Sequence, residues 1–103
     1  MTPSTRQIRI RPQAAFETNA AFQWYEGQRA GLGYEFLRAL DAALAALARE
    51  PLLSREVRPG VRRALLRRFP YGVFFGATET ALTVLAVLHH RRSPRRWPRR
   101  AAG

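Results

Sequence analysis

The segment that most narrows the choice of fold is Ala30-Gly31-Leu32-Gly33, a glycine-rich break between two stretches of helical periodicity. Before it, Ala14, Glu17, Ala21, Trp24, Tyr25 and Gln28 recur at helical spacing, and Phe16, Ala20 and Trp24 form an i, i+4, i+8 row. After it, Phe36, Leu37, Leu40, Ala43, Leu44 and Leu47 make an apolar stripe on a second helix that ends before Pro51. So short a connection leaves the two helices no arrangement but an antiparallel hairpin. The apolar face that the hairpin shares then needs something to pack on.

Segments of a different period supply it. Gln7 to Arg11 alternates, with Ile8 and Ile10 on one side and Arg9 and Arg11 on the other, so it reads as a short strand with one buried face, stopped by Pro12. Three further strands follow, roughly Val61 to Phe69, Val73 to Thr78 and Ala81 to Leu88, separated by Pro70-Tyr71-Gly72 and by Thr78-Glu79-Thr80. Connections this short favour an antiparallel meander. The expected fold is α+β in the order βααβββ, a helical hairpin packed on a small antiparallel sheet. In the last strand Leu82, Val84, Ala86 and Leu88 share one face, and Thr83, Leu85 and Val87 share the other, as in a central strand covered on both sides. The hairpin covers one face of the sheet and leaves part of the second to be covered by something else, for which a bound partner chain is one candidate. With 103 residues the chain holds one core, a single domain over residues 1–97 followed by a fraying basic tail over 98–103.

Charge and residue usage exclude several kinds of chemistry. The net charge is +11, and all 18 cationic residues are arginine. Arginine's planar fork matches phosphate and carboxylate, which fits an anionic partner, although codon usage in a GC-rich genome produces the same bias. The absence of cysteine removes disulfides, thiol catalysis and cysteine-based zinc sites. Ser4, Ser54 and Ser93 lie in no nucleophile elbow, and Gly31-Leu32-Gly33 follows a helix where a dinucleotide fingerprint follows a strand, so no cofactor is expected. His89 and His90 are neighbours on a strand, point to opposite faces and have only scattered acids around them, so no metal is expected either. No apolar signal core follows Met1, and the longest apolar run, Ala81 to Leu88, is far below the ~18 residues of a membrane span. The expectation is a cytoplasmic protein with no membrane partner.

The most reactive-looking stretch is the end of the last strand, where the core sequence runs into His89, His90, Arg91, Arg92, Arg95 and Trp97. Cations and an indole at a strand end suit the grip of an anionic target, for which Arg91, Arg92, Arg95 and Trp97 are the binding candidates. Either histidine has the titration range of an acid or base, and either equally suits a strand-end hydrogen bond. Arg62-Arg63 and Arg67-Arg68 put cations on both faces of the sheet, one set near Arg91-Arg92, as a phosphate clamp or as a solvated edge. Trp24 and Tyr25 read as core, not as a platform for stacking bases.

Taken in order, Ala14, Glu17 and Ala21, Trp24-Tyr25-Glu26, Gly31-Leu32-Gly33 with Phe36, Pro51, Arg68-Phe69-Pro70-Tyr71, and Val87 through His89 and Arg92 to Pro94 and Trp97 resemble the RelE/ParE superfamily of bacterial type II toxins, in its ParE-like plasmid-stabilisation branch. The resemblance runs from Ile8 to Trp97. It implies a toxin encoded beside a cognate antitoxin that wraps and silences it in a hetero-oligomeric complex, with Thr83, Leu85 and Val87 as the antitoxin-binding face. It also brings two activities: RelE-like members cut mRNA on the ribosome, and ParE-like members poison DNA gyrase without an established catalytic site. Here Tyr71-Gly72 stands where the nucleases have an arginine, and Pro94 follows His89-His90-Arg91-Arg92 with no terminal tyrosine. The non-enzymatic gyrase inhibitor is therefore the first reading. A ribosome-dependent endoribonuclease using Arg68, His89, His90 and Arg92 is the second, and a non-toxic nucleic-acid-binding module the third.

Overall fold

Pro12 ends the first strand and starts the first helix, because its ring lacks a ladder donor yet is set for the first helical position. The computed structural model describes residues 5–91. Strand β1, Gln7–Ile10, leads into α1, Pro12–Gln28, and α2, Leu32–Arg49; a 3-10 turn at Pro51–Leu53 then opens onto β2, Arg55–Arg58, β3, Val61–Leu65, β4, Tyr71–Ala77, and β5, Ala81–His89. The strands lie in the order β1-β5-β4-β3-β2. The α+β class and the hairpin of helices follow the sequence reading.

Three features of the sheet depart from that reading, the first being that β3 ends at Leu65, so that Leu66 to Phe69 fall in the corner and Tyr71-Gly72, expected there, open β4. Arg55–Arg58 is an additional strand, paired antiparallel with β3 through the turn at Gly60, whose φ of 78° favours glycine. The sheet is also mixed, because β1 runs parallel to β5, with Ile8 beside Leu82 and Ile10 beside Val84. The helical hairpin is thus the crossover that brings the chain back alongside its own start.

The tight turn between the helices is held by a carboxylate from the first of them. Gly31, with φ of 91°, caps α2 and offers no side chain to its free N–H groups. Glu26 of α1 takes that role: the N–H groups of Gly31 and Gly33 donate to its two oxygens at 2.8 and 2.9 Å. A Cβ on Gly33 would stand 2.7 Å from both the carbonyl oxygen and the ring of Phe22, so the helices can approach this closely only at glycine. Farther along α2, Phe36, Leu40, Leu44 and Leu47 face the sheet, as their spacing required.

The principal core lies between the hairpin and the sheet, joining Ala14, Ala21 and Tyr25 of α1 and the α2 stripe to Leu66, Phe69, Val73, Phe75, Leu82, Val84 and Val87. A smaller cluster on the opposite face joins Val61, Phe74, Leu85 and Ala86. Strict alternation along β5 fails because Phe74 lies opposite Ala86 while Phe75 lies opposite Val84, which makes Leu85 an extra, bulged residue. The bulge turns Val87 toward the helices and Ala86 away from them, exchanging the faces expected for both. Two other burial expectations are also overturned: Ile8 and Ile10 are 39% and 49% exposed, since β1 is an edge strand at the margin of the helices, and Trp24 is 59% exposed while its neighbour Tyr25 is core.

The close approach at Gly33 predicts opposite results for two glycine substitutions. In urea unfolding, Gly33→Ala lowers stability by about 1–3 kcal/mol through overpacking against Phe22. Gly27→Ala, with nothing within 4 Å of the added Cβ, raises it by up to about 1 kcal/mol through helix propensity.

Candidate functional site: a cleft at the end of the last strand

Strand β1 is four residues long, so it pairs with only the first half of β5. The chain leaves β5 where the N–H of Arg11 donates to the Val84 carbonyl at 3.0 Å, and α1 begins. The remaining outer edge of β5 has no strand beside it. A side chain of α1 compensates: the Val87 N–H donates to Glu17 Oε1 at 2.8 Å, and Gln13 Nε2 holds the other oxygen at 2.8 Å. Glu17 was visible in the sequence as a helical-face residue, but its role depends on where β1 stops, which the sequence pattern does not disclose.

Because helix, not strand, flanks this half of β5, a cleft of about 680 Å³ opens between them. Phe16, Ala20 and Trp24 form its α1 wall, and Tyr71, Val87, His89 and Arg91 form the other. The row read from the sequence is therefore the wall of a cleft, and Phe16 is 72% exposed on it. Behind the cleft an aromatic cluster fixes its shape. Tyr25 stacks on Phe36 at 5.5 Å and meets Phe69 edge-on at 5.0 Å, while Tyr71 meets Phe36 at 5.2 Å and His89 at 5.4 Å. Burial, and secondarily the Tyr71 hydroxyl, push the Tyr25 phenol above its usual range, so it stays protonated and serves as scaffold.

The candidate catalytic residues are not all brought together. His89 ends β5 beside Tyr71 and lies in the cleft, with Nδ1 accepting the Arg91 N–H at 3.2 Å. His90 falls just past the strand and its ring stacks on that of His89 at 5.0 Å, contrary to the expected opposite faces; its N–H donates to the Pro70 carbonyl at 2.7 Å. Among the described residues no three potential metal ligands cluster. Arg68 lines a separate hollow between α2 and β3. There it lies 2.8 Å from Glu35, which Arg29 also approaches at 3.6 Å, and its guanidinium sits 5.3 Å from the centre of the Phe69 ring. The Arg68 hydrogen bond, more than any other contact, holds the Glu35 carboxyl below its usual range.

The remaining sequence candidates are dispersed. Thr83 and Leu85 line a hollow on the opposite face of the sheet, beside Arg9 and Arg11, whereas Val87 is 2% exposed in the principal core. Arg62 and Arg63 are two strands away from β5 and level with its middle, and Arg62 is tied to the Ser54 carbonyl at 2.6 Å. They do not join Arg91. Of the target-binding candidates Arg91 is exposed in the cleft, while Arg92, Arg95 and Trp97 lie outside the described residues. No helix among the described residues is long and apolar enough to cross a membrane.

Residues 8–94 match the family model described as the ParE toxin of the type II toxin-antitoxin system, parDE. The chain belongs to the ParE toxin family. A solved structure from P. aeruginosa, titled as its chromosomal ParDE TA system, superimposes with a TM-score of 0.72 over 82% of this chain and 96% of that one, at 16% identity. At that identity the likeness concerns the fold. No sequence among the curated proteins matches the chain.

Two outcomes test the geometry of this ParE-family site. Glu17→Ala strands the Val87 N–H and costs about 1–3 kcal/mol in denaturant unfolding, and Glu17→Gln, which retains an acceptor, costs less. Glu35, held low in the folded state, strengthens the fold above the ordinary glutamate range, and that contribution disappears as pH falls through its lowered midpoint. An NMR titration should therefore find the Glu35 midpoint displaced upward in Arg68→Ala. An unchanged midpoint would refute the contact.

Proposed function

We propose that this chain is the toxin of a type II pair, silenced by a cognate antitoxin in a hetero-oligomeric complex, and that the free toxin arrests growth inside the cell by poisoning DNA gyrase. Family membership supplies the first half of the reading. The second half rests on one observation: Arg68, which a phosphodiester-cleaving site would need beside the histidines, is engaged by Glu35 in a different hollow from His89. Among the described residues Arg91 is the one arginine that lines the histidine cleft.

What the cleft offers is a binding surface. Two exposed aromatic rings, Phe16 and Trp24, face a wall that ends in His89 and Arg91, so apolar contact and cation attraction act on the same partner. Inhibition by occupancy requires surface of this kind and no nucleophile. Thr83, half-exposed on the far face, stays available to an antitoxin, and Val87 does not.

One arrangement favours the endoribonuclease reading: Tyr71, His89 and His90 form a contiguous set of groups able to move protons. The two readings separate in cells. On induction of Tyr71→Phe/His89→Ala/His90→Ala, growth arrest should persist to within about twofold of the wild-type rate, with transcript 5′ ends unchanged. Loss of toxicity from the triple variant, together with new 5′ ends inside translated codons for the wild type, would establish cleavage instead. An alternative without toxicity, a plain phosphate-tracking module, predicts no growth effect at all.

A further inference from the structure

A hollow of about 880 Å³, sharing no lining residue with the histidine cleft, lies between α2 and the end of β3. Its floor is apolar and shallow: Ala39, Ala42, Ala43 and Ala46 of α2 face Ala64 and Leu66. The alanines alone would signify little, but a second, independent feature borders them. The Leu66 N–H donates to the Tyr71 carbonyl at 2.9 Å, so by the alternation of an antiparallel ladder the N–H and C=O of Leu65 point away from β4. On that side β2 pairs with β3 only as far as Arg63, because the chain before Arg55 has already turned into the 3-10 segment. The backbone of Leu65 therefore has no strand beside it, and its side chain is 60% exposed.

Charge identifies the occupant. Arg38, Arg67 and Arg68 line the same hollow, and the one acid among its lining residues, Glu35, is taken up by Arg68 and Arg29. Arg38 and Arg67 form no ion pair among the described residues. We propose that the groove receives an extended, acidic and apolar segment of the antitoxin, which adds to the sheet beside Leu65, drops alternate apolar side chains onto the α2 alanines and places carboxylates against Arg38 and Arg67. The stretch from Arg38 to Leu47 spans about 14 Å of helix, the reach of about four extended residues. The inference rests on the toxin reading and adds where the partner binds. Neutralisation then includes contacts remote from the cleft, which leaves the cleft's own occupant a separate matter.

The test uses the full toxin with the antitoxin encoded by the neighbouring gene. Amide hydrogen exchange should find Leu65 exchanging freely in the toxin alone and protected at least about a hundredfold in the complex. Leu65→Pro, which removes the edge donor, and Ala46→Glu, which sets a bulky like charge against the acidic segment at an exposed helical position that tolerates glutamate, should each weaken the complex about tenfold or more. The second variant keeps its melting temperature even if the first does not fold. An antitoxin that binds wild type and Ala46→Glu equally and leaves Leu65 unprotected overturns this site while sparing the toxin reading. Failure of any neighbour-encoded protein to bind the wild type overturns the toxin reading itself. Protection of Leu65 that grows with toxin concentration alone overturns the proposal in favour of a second copy.

Discussion

Everything distinctive about this molecule follows from how the outer edge of β5 is satisfied. A strand covers its first half and a helix its second, because β1 stops at Ile10 and Pro12 starts α1 at once. A buried N–H without an acceptor costs more than a hydrogen bond contributes, so the uncovered half needs a side chain, and Glu17 supplies it. The helix that carries Glu17 stands off from the sheet far enough to leave a cleft, whereas a continued strand would have closed it. The fold's connectivity and its candidate site are one consequence of a four-residue strand.

The aromatic cluster of Tyr25, Phe36, Phe69 and Tyr71 stands between the histidine cleft and the hollow of α2 and β3. Phe69 receives Arg68 on the side of α2 and β3, and Tyr71 receives His89 on the side of α1. A rigid apolar wall of this kind keeps the cation and the histidines from converging, since neither can cross packed rings without opening the core. This chain thus presents two chemically different surfaces: an aromatic cleft ending in His89 and Arg91, and an alanine groove flanked by arginines.

The sequence revealed what depends on strong local period. The stripe of Phe36, Leu40, Leu44 and Leu47, the turn at Gly31 and Gly33, and the corner at Thr78 lie where their spacing put them, whereas the corner before β4 falls earlier, at 66–70, and Tyr71-Gly72 join the strand. What escaped depends on partners distant in sequence. Arg55-Glu56-Val57-Arg58 has one apolar residue and no readable alternation, so β2 exists only through its pairing with β3. The bulge at Leu85 is set by the match of β4 to β5, and one inserted residue is enough to transfer Val87 from an expected docking face into the core. Trp24 illustrates the same limit: its helical spacing fits a buried row, but the sheet lies under Tyr25. Family resemblance identified the kind of protein correctly, while the location of Arg68 relative to His89 required three-dimensional packing.

Whether the free protein acts by binding gyrase, as proposed, or by cutting RNA is decided most directly with purified components. Gyrase, relaxed plasmid, ATP and this toxin are incubated together, with a parallel reaction containing translating ribosomes and mRNA. For a gyrase poison, supercoiling stops and cleaved plasmid accumulates while the mRNA remains intact. Normal supercoiling beside ribosome-dependent cleavage of the mRNA would contradict that proposal and return the cleft at Tyr71 and His89 to the role of a catalytic site.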